Sequence, residues 1–90
     1  MHSSEGVEAA PETVLVRYWA GARAAAGVDE ERLAGVTTVG DLLTRLATAH
    51  PALEPVLPVC SVLVGGRAST GEASVPPGAV VEILPPFAGG

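Results

Sequence analysis

Hydrophobic and polar residues alternate between Thr13 and Ala20. A period of two residues predicts a β-strand with two different faces. The face that contains Arg17 should point outward, and the same face carries Trp19. An exposed tryptophan is a common anchor at protein interfaces, so Trp19 is a candidate partner-binding residue; the alternative is that it packs under a loop.

A helical pattern follows Thr38. Thr38 is a good N-cap, and Asp41 three residues later places a negative charge in the first turn. Pro51 should end the helix after His50. One apolar face is predicted, made of residues at helical spacing: Val39, Leu42, Leu43, Leu46 and Ala49.

The remaining elements are shorter. Residues 21–27 are bounded by glycines and can form either a loop or a single helical turn. Four further strands are predicted, at residues 31–33, 59–64, 67–69 and 79–84, with a turn at Gly65-Gly66. This order predicts an α+β fold with a mixed four- to five-stranded sheet and one main helix packed on one face.

The other face of that sheet should be open to water or to another protein. In the last strand Glu82 marks the outward side, which makes Leu84 an exposed apolar residue next to the end of the strand. A docking surface is therefore predicted on this face, formed by the apolar residues Trp19, Leu63, Ala68 and Leu84.

The chain ends in Leu84-Pro85-Pro86-Phe87-Ala88-Gly89-Gly90. The two prolines remove consecutive N–H donors, so sheet pairing should stop near Leu84. From Pro86 to Gly90 an extended backbone advances about 13 Å. We therefore predict a flexible leader at residues 1–12, a domain at 13–86 and a flexible tail at 87–90 that presents a carboxylate; the alternative is a glycine-rich end without a function.

The composition limits the kinds of partner, compartment and bound group that are expected for this chain. The net charge is −5, with five arginines and no lysine, which argues against nucleic acid as a partner and allows a basic protein. The single Cys60 fits a reducing cytoplasm, and neither a secretion signal nor a membrane-spanning run is expected. His2 and His50 are far apart, so no metal site is predicted, and we expect no cofactor bound by this chain.

A terminal carboxylate becomes reactive only when its oxygen is converted into a leaving group. Adenylation achieves this, with ATP supplied at a partner's site. A sulfur nucleophile could then displace AMP and leave a thiocarboxylate at Gly90. Attack by an amine would instead make the chain a protein tag; without lysine, no side-chain amine of this chain could capture the activated end.

The sequence resembles the MoaD/ThiS family of ubiquitin-like sulfur carriers. The resemblance covers roughly residues 13–90 and is carried by the tail, by Thr38-Val39-Gly40-Asp41-Leu42-Leu43, by Val16-Arg17-Tyr18-Trp19-Ala20 and by Ala22-Arg23. It implies a β-grasp fold and activation of Gly90 by a ubiquitin-activating-like adenylyltransferase. A sulfurtransferase or cysteine desulfurase would supply the sulfur.

In MoaD-like members the tail enters the large subunit of molybdopterin synthase, in a heterotetramer, and gives sulfur to cyclic pyranopterin monophosphate. The resemblance implies that Gly90 carries the sulfur, that Gly89 threads with it, and that Trp19 and Leu84 contact the large subunit. Phe87 stands where valine is more usual. Carriers for cysteine or thiazole synthesis, and protein modifiers, are the alternatives.

Overall fold

Five strands and two α-helices are formed by residues 13–86, the part of the chain that this computed structural model describes. The predicted leader (1–12) and tail (87–90) lie outside the described residues. The strands are β1 (Thr13–Tyr18), β2 (Glu30–Ala34), β3 (Ser61–Val64), β4 (Arg67–Ala68) and β5 (Val80–Leu84). The α-helices are α1 (Ala20–Ala26) and α2 (Val39–Ala49), and two 3₁₀ turns follow α2, at Pro51–Leu53 and Leu57–Val59.

The five strands form one mixed sheet in the order β2-β1-β5-β3-β4. β1 and β5 are parallel, and the other neighbours are antiparallel. The last strand is therefore central, with hydrogen-bonded neighbours on both sides. This is a β-grasp arrangement, and it confirms the predicted fold class.

One face of the sheet is covered by the helices. The inward residues of β1 and β5 are at most 3% exposed, as the alternation predicted, and are Val14, Val16, Tyr18, Val81 and Ile83. Against them α2 buries its apolar side and α1 buries Ala22 and Ala26. Because both helices occupy this side, the opposite side of the sheet has no element packed on it within the described residues.

The predicted start of α2 is confirmed. The Asp41 N–H donates to the Thr38 side-chain oxygen Oγ1 at 3.1 Å. The two preceding N–H groups donate to the loop before β5, from Val39 to the Ala73 carbonyl and from Gly40 to the Gly71 carbonyl. The first turn thus has partners for donors that a helix leaves unpaired. A Cβ atom at Gly40 would lie 3.2 Å from the Gly71 oxygen, which favours glycine there.

Two local predictions need correction. Residues after Trp19 form a seven-residue helix, longer than a single turn, because Ala22 and Ala26 lie one turn apart and both can be buried. The predicted strand 59–64 starts at Ser61, because Pro58 at the start of a 3₁₀ turn closes Leu57–Val59 into that turn. The turn at Gly65 and Gly66 is confirmed, with φ of 59° and 84° that favour glycine.

Thr38→Ala tests the α2 cap. Loss of the side-chain acceptor leaves the Asp41 N–H unpaired, so the free energy of unfolding should fall by about 1 kcal/mol. Thr44→Ala, at an exposed position of the same helix, should change it by a few tenths of a kcal/mol at most. Urea unfolding of both variants measures the difference; equal effects would contradict the role of the cap.

Candidate partner-binding face

The sheet face opposite the helices, which we call the open face, collects the outward residues of all five strands. Cross-strand register defines its members. They are Thr13, Leu15, Arg17, Glu30, Arg32, Ala34, Ser61, Leu63, Ala68, Val80, Glu82 and Leu84, together with Trp19, which directly follows β1. Trp19 is 40% exposed and Val80 38%, so large apolar groups face solvent here.

Trp19 and Leu84 lie side by side at one end of the open face. Tyr18 is paired with Ile83 in the parallel β1–β5 ladder, so the next residues along each strand are neighbours. The Trp19 N–H donates to the Ile83 carbonyl at 3.2 Å, which fixes the backbone of the tryptophan beside the end of β5. An apolar surface therefore stands at the place where the chain leaves the sheet.

The other two predicted contact residues on the sheet, Leu63 and Ala68, lie on the same face, in β3 and β4. Leu84 and Leu63 are half-buried, so Leu84 is less exposed than predicted, because neighbours on two adjacent strands cover its sides. Ala68 is exposed on the edge strand β4 and is paired with Leu63. The structure thus brings four predicted residues onto one surface.

The tail residues Phe87, Gly89 and Gly90 lie outside the described residues. Their attachment point is described: β5 ends at Leu84, as predicted, and is followed by Pro85 and an exposed Pro86. Leu84 is paired with Ser61 of β3. The base of the tail is therefore held by the sheet, next to the open face.

A charged row crosses the open face. Register places Arg17 of β1 between Glu30 of β2 and Glu82 of β5. The Arg17 Nε atom lies 3.5 Å from Glu30 Oε1, and its guanidinium carbon lies 5.5 Å from the center of the Trp19 ring. Arg17 thus links the charged row to the apolar end of the face.

A second cluster lies on the helix side, where Glu31 accepts hydrogen bonds from two residues distant in sequence. The Tyr18 hydroxyl donates to Glu31 Oε2, and the His50 Nε2 atom lies 2.6 Å from the same oxygen. The neighbouring Asp29 and Glu30 are exposed, whereas alternation along β2 turns Glu31 toward the helices. The cluster joins the end of α2 to the edge strand.

Burial, the hydrogen bond to Glu31 and the charge of Glu31 all raise the pKa of Tyr18 above its ordinary value, with burial the largest cause. Burial also raises the pKa of the Cys60 thiol, whose Sγ atom donates to the Val56 carbonyl. Both groups are therefore held in their neutral forms, which makes Cys60 a poor nucleophile.

The rest of the described chain offers little for catalysis. Within residues 13–86, His, Cys, Asp and Glu side chains form no group of three that could hold a metal ion. A shallow groove of about 260 Å³ beside α2 is mainly apolar, with Glu54 as its charged residue; it is lined by Leu43, Thr44, Ala47, Glu54, Leu57 and Pro58. Among the helices of the same range, none has the length and apolarity required to cross a membrane.

A β-grasp domain whose central strand ends beside an open, partly apolar face defines the class of small ubiquitin-like proteins. The ThiS family matches residues 16–90, and the chain belongs to this family. It is a ThiS/MoaD-like, ubiquitin-like sulfur carrier or modifier. Such proteins are small carriers and are generally non-catalytic.

Solved structures agree with this assignment. The small archaeal modifier protein 1 (SAMP1) of Haloferax volcanii is 30% identical, with a TM-score of 0.74 over 87% of this chain and 99% of that chain. A Pyrococcus furiosus protein assigned as molybdopterin converting factor subunit 1 is 28% identical, with a TM-score of 0.74 over 82% and 97%.

A more distant structure shares the fold. In the Helicobacter pylori complex of subunits 1 and 2 of molybdopterin-converting factor, the matching chain is 19% identical, with a TM-score of 0.65 over 87% of this chain and 99% of that chain. A search of curated proteins found no match.

The raised pKa of Tyr18 predicts a loss of stability in alkali. Below about pH 10, the ordinary tyrosine pKa, the phenol is protonated in both the folded and the unfolded chain, and its contribution to the free energy of unfolding is complete. Above that pH the unfolded chain loses the proton and the folded chain keeps it, so the free energy of unfolding should fall, by up to about 1.4 kcal/mol per pH unit, until the folded pKa is reached.

The measurement is urea unfolding between pH 8 and pH 11 for the native sequence and for Tyr18→Phe, with the difference plotted against pH. Tyr18 is the one tyrosine of the chain and there is no lysine, so few other groups titrate in this range. The difference should shrink above about pH 10. A constant difference, or tyrosinate absorbance in the folded protein at an ordinary pKa, would contradict the buried hydrogen-bonded phenol.

Proposed function

We propose that this chain is the sulfur-carrier subunit of a molybdopterin synthase. Two similarities support the proposal. The Pyrococcus furiosus structure carries the name molybdopterin converting factor subunit 1, and the Helicobacter pylori structure is a complex of subunits 1 and 2. The partner of this chain would then be a large synthase subunit, in a heterotetramer, and its site of action the reducing cytoplasm, where a lone cysteine such as Cys60 stays reduced.

The observation that carries the proposal is the position of β5. The strand is held between β1 and β3, and its last residue, Leu84, lies beside Trp19 on the open face. Six residues after Leu84 the chain reaches Gly90, and the family match extends to that residue. A partner bound to the open face would therefore have the terminal carboxylate within about 20 Å of the contact surface.

The chemistry requires two steps on the Gly90 carboxylate. In the first, a carboxylate oxygen attacks the α-phosphate of ATP in an adenylyltransferase, which releases pyrophosphate and forms an acyl adenylate. In the second, the outer sulfur of a persulfide on a sulfurtransferase or cysteine desulfurase attacks the acyl carbon and displaces AMP. A thiol then reduces the resulting acyl disulfide, which releases the thiocarboxylate at Gly90 and leaves the thiol and the donor cysteine as a disulfide. The large subunit would then receive the tail, and the sulfur would pass to cyclic pyranopterin monophosphate. The chain is a co-substrate in this scheme, and ATP binds to its partner.

A protein modifier is the second candidate, and the similarity to SAMP1 of Haloferax volcanii favours it. The same acyl adenylate would then be attacked by an amine of another protein, forming an amide and releasing AMP. Carriers that supply sulfur for cysteine or thiazole synthesis share the thiocarboxylate and differ only in its acceptor. These candidate functions can therefore be distinguished by the molecule to which the tail is joined or to which it gives its sulfur.

Incubation with ATP, a sulfur donor and the adenylyltransferase should increase the intact mass by about 16 Da, because sulfur replaces one oxygen. Addition of the large subunit and cyclic pyranopterin monophosphate should return the mass to its starting value and produce molybdopterin. Conjugates of higher mass would favour the modifier, and a thiocarboxylate that persists with the large subunit present would favour another sulfur acceptor.

Deletion of Gly90 should abolish thiocarboxylate formation and sulfur transfer. The described residues end at Pro86 and the last core residue is Ile83, so the urea unfolding midpoint of the shortened chain should equal that of the full chain within error. Retained sulfur transfer by the shortened chain would remove the terminal glycine from the mechanism.

Trp19→Ala should weaken binding to the large subunit by tenfold or more, since exposed tryptophans at interface centers often contribute over 1 kcal/mol. Val59→Ala is a matched control, because Val59 is 60% exposed and lies outside the open face. Titration calorimetry measures both affinities. Unfolding of Trp19→Ala, or equal affinities of the two variants, would contradict the assignment of the binding face.

A further inference from the structure

Glu82 stands in the middle of the open face, with three apolar neighbours and one arginine. It is half-buried on β5, the central strand, and is paired across the sheet with Leu63 on one side and Arg17 on the other. Its neighbours along the same face of β5 are Val80 and Leu84. A carboxylate at such a position would be enclosed when a partner covers the face.

The nearest cation is already engaged elsewhere. Arg17 directs its guanidinium to Glu30 and to the Trp19 ring, and within residues 13–86 the Glu82 carboxylate forms neither a hydrogen bond nor an ion pair. The charged row therefore contains two carboxylates and one guanidinium. It has an excess of one negative charge.

The other arginines near the sheet do not balance this charge. Arg32 is exposed on the edge strand β2, two strands from β5, or about 9.5 Å at the usual strand spacing. Arg67 occupies the alternate position to Ala68 on β4, so it belongs to the other face. Within residues 13–86, no cationic side chain is therefore paired with Glu82, so a bound partner is the source we consider for its counter-charge.

A carboxylate that is buried at an interface without a partner opposes binding, whereas one that meets a guanidinium or ammonium group gives orientation and specificity. We propose that the protein bound to the open face presents an arginine or lysine side chain to Glu82, within an otherwise apolar contact. Glu82 is then a specificity-determining residue for that partner. The inference rests on the proposed function, because it takes the large synthase subunit as the occupant of the face.

The test compares the native sequence with Glu82→Gln and Glu82→Ala in titration calorimetry against the large subunit of molybdopterin synthase from the same organism. Both variants should bind about tenfold more weakly or worse, because each leaves the partner's cation unpaired. Glu72→Gln is the matched charge control, because Glu72 is exposed in the loop before β5. The affinity of this variant for the large subunit should equal that of the native sequence. All four proteins should have the same unfolding midpoint, since the Glu82 side chain lies outside the core.

Salt gives an independent measure of the same pair. The affinity of the native sequence should fall as sodium chloride is raised, and the dependence should be shallower for Glu82→Gln. Tighter binding by Glu82→Ala, or equal affinities and salt slopes for Glu82→Gln and the native sequence, would show that the partner has no cation there and would overturn the inference. Absence of binding by the native sequence would instead reject the proposed function, and this inference with it.

Discussion

The parallel pairing of β1 with β5 is the constraint on which the rest of the structure depends. It places the last strand in the middle of the sheet, so the end of the chain is anchored between two neighbours. It also fixes the alternation of both strands together, which buries Val16 and Val81 on one side and turns Arg17 and Glu82 to the other. The core, the open face and the base of the tail are consequences of one register.

The two faces of the sheet have separate tasks. The helix side is sealed by aliphatic residues, and its polar cluster of Tyr18, Glu31 and His50 joins the end of α2 to the edge strand. The open face keeps Trp19 and Val80 in contact with solvent, where they cost stability little and remain available to a partner. Substitutions on the open face can thus be made without disturbing the packing that maintains the fold.

Charge on the open face distinguishes this surface from a purely apolar one. Arg17 forms an ion pair with Glu30 and contacts Trp19, while the Glu82 carboxylate on the central strand has no ion-pair partner within residues 13–86. Apolar contacts supply most of the affinity at such surfaces, and charges select among partners of similar shape.

The sequence by itself determined the fold class, the main helix, the end of the last strand and the sides of the sheet. These features follow from local rules: the period of apolar residues, the Thr38 cap and the two prolines after Leu84 act within a few residues of chain. Trp19, Leu63, Ala68 and Leu84 could be grouped in this way because alternation assigns each strand residue to a face. Their roles at an interface, and those of Phe87, Gly89 and Gly90, remain predictions.

The tertiary structure decided which residues that are distant in sequence contact each other. Glu31 and His50 are 19 positions apart, and strand pairing together with helix packing makes them partners. The isolation of Glu82 likewise depends on the rotamer of Arg17, which selects Glu30 on one neighbouring strand over Glu82 on the other. The pattern of residues along the chain shows toward which face a side chain points, because the face depends on the period of the backbone. The partner that the side chain meets on that face depends on the register between strands, and the pattern along one strand does not contain this register.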